Sequence, residues 1–106
     1  MQKYLFHGTY TQEGFKGLMV EGGSKRIEAA KQALGSAGGS LEAFYFSFSE
    51  EDFYIIVNLP DNVAATAVLM AGNASGTFRI QGIPLLTPEE MDAAVKRGVD
   101  FRPPGH

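Results

Sequence analysis

Cysteine is absent from the 106 residues. That excludes disulfides, a thiolate nucleophile and any cysteine-ligated zinc or iron–sulfur site. A surplus of basic charge is missing too: nine Lys and Arg stand against twelve Asp and Glu, a net charge of −3. Phosphate backbones are held by clustered cationic fields. Here only Lys25–Arg26 and Lys96–Arg97 are adjacent, so no nucleic-acid partner is expected. No apolar run approaches the roughly 20 residues that span a bilayer, so no membrane partner is expected either. The opening MQKYLFHGTY lacks the basic-then-apolar pattern of a secretory signal. Histidine is scarce, with only His7 and His106, and neither has a second ligand residue at metal-site spacing. These absences lead to the expectation of a cytoplasmic protein with no metal and no other cofactor. The length suits a single domain, residues 1–106, able to bury a core without staples.

What is present is organised around Leu41–Leu59, LEAFYFSFSEEDFYIIVNL. Two aromatic and β-branched runs, Leu41–Phe48 and Phe53–Leu59, flank the turn Ser49–Asp52 and read as a β-hairpin. Strict alternation places Leu41, Ala43 and Tyr45 on one side of the first strand and Phe44, Phe46 and Phe48 on the other. In the second strand Ile55, Val57 and Leu59 alternate with Tyr54, Ile56 and Asn58. A hairpin apolar on both faces must be covered twice.

The other elements follow from periodicity and punctuation. Lys3–Tyr10 alternates as a strand. Thr11–Gly14 reads as a break and Phe15–Glu21 as a short helical turn, or an extension of the helix that follows. Gly22–Gly23 punctuates, with Ser24 as the expected cap of a helix through Ala37 whose inward face is Ile27, Ala30, Leu34 and Ala37. Gly38–Gly39 closes it. Pro60 stops the hairpin. Asp61 caps a second helix to about Asn73, so rich in apolar residues that burial on more than one side is expected. Thr77–Leu86 reads as a fourth strand, with Pro84 marking an edge. Thr87-Pro88-Glu89-Glu90 is a capping box with proline at the first helical position. It opens a third helix to about Arg97, with Met91, Ala94 and Val95 inward and Gly98 as its C-cap. A proline-rich tail, Asp100–His106, ends the chain.

The order β-α-β-β-α-β plus a C-terminal helix is an α+β arrangement of the ferredoxin-like kind, with a four-stranded antiparallel sheet in the order 4-1-3-2. Helices cover one face only. The apolar side chains left on the other face lead to the expectation of a second copy stacked sheet on sheet, in a homodimer or a higher even-numbered oligomer.

Four stretches, Tyr4–Gly14 (YLFHGTYTQEG), Lys16–Gly17, Phe44–Asp61 (FYFSFSEEDFYIIVNLPD) and Leu86–Glu90 (LTPEE), resemble the GYD-domain proteins. The resemblance implies a ferredoxin-like fold of the dimeric α+β barrel type, and it implies no reaction. The family is named for a Gly-Tyr-Asp turn before its third strand. Ser49, Glu51 and Asp52 occupy the corresponding positions. Only Asp52 keeps the family's residue type, so no role of that glycine or tyrosine carries over.

Candidate chemistry is sparse. His7 reads either as a general acid/base in a pocket or as a hydrogen-bonded sheet residue. Arg79 interrupts an otherwise neutral strand. With His7, Thr9, Tyr54, Asn58 and Gln81 it forms a candidate polar cluster on an aromatic wall. That cluster suits a small anionic, carbonyl-bearing or aromatic ligand, and pairing with a neighbouring acid is the alternative for Arg79. Glu50, Glu51 and Asp52 read as solvated turn acids, with Asp52 a cap for backbone N–H groups. Two functions are carried forward. One is a small-molecule-binding or structural module. The other is a metal-independent enzyme acting on an organic acid or aromatic metabolite, with His7 as acid/base and Arg79 as anion clamp.

Overall fold

The computed structural model describes residues 1–106. Seven elements follow one another: β1 (Gln2–Tyr10), α1 (Gln12–Ser36), β2 (Ser40–Phe46), β3 (Phe53–Leu59), α2 (Asn62–Ala74), β4 (Phe78–Leu85) and α3 (Pro88–Lys96). The fold is α+β, with one antiparallel sheet in the order β2-β3-β1-β4. This is the strand order expected from the sequence. Alternation does the sorting. Tyr4 and Phe6 of β1, Phe53, Ile55, Val57 and Leu59 of β3, and Ile80 of β4 point to the side that α1 and α2 cover. Leu34 of α1 and Ala65 of α2 complete that core.

β2 departs from strict alternation. Leu41 pairs with Val57, but Ala43 pairs with Ile56, so Glu42 is an extra residue and a β-bulge. The bulge flips the faces on one side of it. Leu41 therefore joins Phe44 against the core, not Ala43 and Tyr45 as strict alternation requires. β2 also ends at Phe46, and Phe48 lies fully exposed in the connecting loop.

Thr11, expected in a break, is the N-cap of α1, and its hydroxyl accepts the Gly14 N–H at 3.2 Å. Helix therefore starts twelve residues before Ser24. Gly22, at φ +79°, kinks α1 where a new cap was expected. That left-handed conformation is accessible to glycine without the Cβ penalty. Gly38, at φ +84°, closes the helix as expected, and the Gly39 N–H returns to the Leu34 carbonyl. Asp61 caps α2 by accepting the Ala64 N–H at 2.9 Å. α2 is buried on one side only, with Val63 and Met70 open to solvent, because the sheet is its main neighbour and α1 stands largely apart from it.

α3 has its capping box: the Thr87 hydroxyl accepts from the Glu90 N–H, and the Glu90 carboxylate accepts from the Thr87 N–H. Its apolar stripe is not inward. Met91 is 50% and Val95 78% exposed, and every residue from Pro88 to His106 is exposed. The cause is geometric. β4 is an edge strand, and the chain leaves it without turning back over the sheet. The radius of gyration is accordingly 17.0 Å, with extents of 58 × 32 × 22 Å, against ~13 Å for a compact chain of this size. Gly98 does not take the left-handed conformation of a C-cap; Arg97 ends the helix in an extended one. No helix is long and apolar enough to cross a membrane.

The edge at β4 is guarded from within. The Asn73 side-chain amide donates to the Ile80 carbonyl at 3.0 Å and accepts the Ile80 N–H at 2.9 Å. The pair of bonds imitates a neighbouring strand and occupies groups that would otherwise template aggregation.

Candidate functional site

Cross-strand register arranges the uncovered sheet face in rows. Lys3, Asn58 and Leu85 form one end. Leu5, Ile56, Ile83 and Ala43 form an apolar band above it. Next come His7, Tyr54, Gln81 and Tyr45, and then Thr9 with Arg79. The polar residues therefore gather at two opposite ends of an apolar band.

At the upper end His7, Thr9, Arg79 and Gln81, with Glu50 and Glu51 of the β2–β3 loop, line a depression of about 420 Å³. His7 Nδ1 lies 2.8 Å from Glu51 Oε1, and both side chains are largely withdrawn from solvent. The pair follows from local folding. The Asp52 N–H donates to the Gly8 carbonyl at 2.8 Å, and Asp52 Oδ2 accepts the Tyr10 N–H at 2.8 Å. These two bonds pin the loop onto β1, so the residue before Asp52 is delivered to the histidine one step from Gly8. Asp52 is thus the turn cap anticipated from the sequence. Glu51 is not a freely solvated acid. Nothing in the sequence marked it, apart from its place beside Asp52.

Arg79 forms no salt bridge, so the alternative of pairing with a neighbouring acid does not hold within one chain. Tyr54 flanks the depression, with its ring near parallel to His7 at 6.4 Å. Asn58 is not part of the cluster. It lies four residues along β3 from Tyr54, about 13 Å, where its side chain bonds Lys3 and Glu42. Lys3 pairs with Glu42. The hydrogen bond from Lys3, and then that from Asn58, hold the Glu42 carboxyl below its usual range.

The helix-covered face holds a second space that the sequence did not announce. Because α1 and α2 pack mainly on the sheet and little on each other, an apolar cleft of about 550 Å³ opens between them. Helix-facing alanines leave this room, because a methyl group cannot span the gap.

Fold and site together define a small α+β protein with a bare antiparallel sheet face and a histidine–carboxylate pair at one end. The GYD domain signature matches residues 4–95 of the 106, and the chain belongs to that family. No curated protein and no solved structure matches it.

Proposed function

We propose that this GYD-domain protein is a small-molecule-binding module, and that its ligand carries a carboxylate or polarised carbonyl held at the His7 end of the open face. One observation carries the reading. Arg79, a forked cation without an acid partner, shares a depression of ligand size with a His–Glu pair. The guanidinium supplies paired donors. Thr9 and Gln81 add neutral hydrogen-bonding groups, and Tyr54 offers an aromatic wall. A second copy stacked on the same face, in a ferredoxin-like dimeric barrel, encloses the site. The apolar band of Leu5, Ile56, Ile83 and Ala43 supports this, since fully burying an exposed Leu or Ile side chain is worth up to roughly 1.5–3 kcal/mol, and less where, as at Leu5 and Ile56, part is already covered.

The 2.8 Å His7–Glu51 contact favours a second reading, a metal-independent acid/base enzyme for an organic acid or aromatic metabolite. A carboxylate on one ring nitrogen orients the imidazole and leaves Nε2 for proton transfer. Thermal-shift screening against small carboxylates, keto acids and phenolic acids tests the binding reading, with light scattering for the assembly. Stabilisation of the wild type that Arg79→Ala abolishes is the expected result. A screen in which no hit is weakened by Arg79→Ala sinks the site, and a monomer at all concentrations sinks the enclosure. Turnover of a hit that survives in His7→Asn removes His7 as the acid/base, and absence of turnover for every hit removes the enzyme reading.

A further inference from the structure

The geometry points to a second ligand site, on the opposite side of the sheet, that takes an amphipathic monocarboxylic acid. Its apolar body lies in the cleft between α1 and α2, and its carboxylate sits on Arg26. This site does not depend on the open-face reading.

The cleft of about 550 Å³ is lined by 20 residues, 15 of them hydrophobic, and opens to solvent along one side. Protein interiors rarely keep voids larger than a water molecule, and apolar walls hold water poorly. The volume falls in the range of ligand pockets. Its floor is aromatic: Phe44, Phe53 and Phe78 come from the sheet, and Phe53 and Phe78 meet edge to face at 5.8 Å. Its walls are the small side chains of the two helices, among them Ala30 and Ala71. A floor of ring faces between smooth walls suits an aromatic or aliphatic body without branching polar groups.

The charge at the mouth selects the head group. Arg26 lines the cleft and is 29% exposed at its side chain. Glu21, across the Gly22 kink, forms a loose ion pair with it at 3.6 Å, beyond hydrogen-bonding range. The guanidinium donates no hydrogen bond within the chain, so a bidentate carboxylate can outcompete this long contact for its planar fork. Tyr10 brings a phenol hydroxyl to the lining, beside the smaller hydroxyls of Ser36, Ser75 and Thr77. Burial raises its pKa, against a smaller lowering by Arg26, so the hydroxyl stays a neutral donor. A single cation beside a phenol matches one carboxylate at the end of an apolar body.

The test uses the full chain, with 8-anilinonaphthalene-1-sulfonate as reporter and decanoate and 1-decanol as competitors. Expected are saturable probe binding at one site per chain, displacement by decanoate, and displacement by decanol weaker by roughly tenfold or more, the scale of one charge-assisted contact. Arg26→Gln should bring decanoate down to the level of decanol. Ala71→Phe, which fills the cleft from an exposed helix position, should abolish binding while circular dichroism shows the fold retained. Arg79→Ala should leave the decanoate-displaceable probe binding intact, which separates this site from the open face. The inference is overturned by absence of saturable binding, by equal binding in Arg26→Gln and Ala71→Phe, or by binding that appears only after residues 88–106 are removed. The last result would make the chain's own arm the occupant.

Discussion

Gly8 sits between His7 and Thr9, and replacing it with alanine should be the most informative single methyl group in the chain. A Cβ built there lies 2.0 Å from the Arg79 carbonyl oxygen and 2.8 Å from Phe53 Cζ. Real Cβ contacts essentially never fall below 3.0 Å, so about 1 Å of separation is required, and the nearer obstacle is backbone. Strands β1 and β4 must part where Thr9 pairs with Arg79. Overpacking of this kind costs about 1–3 kcal/mol, and a weakened ladder hydrogen bond adds about 1 kcal/mol. The sum, about 2–4 kcal/mol, corresponds to a fall in Tm on the order of 10–25 °C for a domain of this size. Gly17→Ala is the matched control. Gly17 lies inside α1, and its added methyl meets nothing within 4 Å. It should stabilise by about 0.5–1 kcal/mol through helix propensity. Urea and thermal unfolding at one fixed protein concentration measure both, since self-association would make Tm concentration-dependent. If Gly8→Ala costs under about 0.5 kcal/mol, or if both substitutions shift stability the same way, the close approach of β1 and β4 is refuted.

Asp52→Ala should cost about 1.5–3 kcal/mol, because the Tyr10 N–H loses a charged acceptor; urea unfolding reads the loss, and faster amide exchange at Tyr10 locates it. Asp61→Ala should remove about 0.5–2 kcal/mol with the cap of α2, and unchanged unfolding would deny that the cap matters. Glu42 predicts a pH effect. Its folded pKa is lowered from 4.5 by Lys3 first and Asn58 second. The native state therefore binds fewer protons than the unfolded one just below that value, and stability is lost as pH falls through the folded pKa. Glu42→Gln should flatten the acid limb of the stability curve, and parallel curves for variant and wild type would contradict the pairing.

The sequence by itself determined the element order, the sheet and most of the core. Alternation in Gln2–Tyr10 and Phe53–Leu59, one side chain up and one down, allows a single sorting of Tyr4, Phe6, Ile55 and Val57 onto the helix side. Caps at Asp61 and Thr87 and the closing Gly38 are local chemistry, satisfied within a few residues. It also grouped His7, Thr9, Arg79, Gln81 and Tyr54 on one face, because register follows from which residues are apolar, but it added Asn58, which lies at the other end of that face.

Tertiary structure decided the rest, wherever the outcome depended on a distant neighbour. The Glu42 bulge, held by Lys3 and Asn58 from other strands, reversed the face of Leu41. Asp52 pinned its loop on β1 and so turned Glu51 from a solvated acid into the partner of His7. An amphipathic α3 was legible, but no periodicity says whether a helix finds a surface to cover, and this one projects from an edge strand. The gap between α1 and α2 is of the same kind. Each helix records in its sequence that it has an apolar face, and neither records how far away the other will stand.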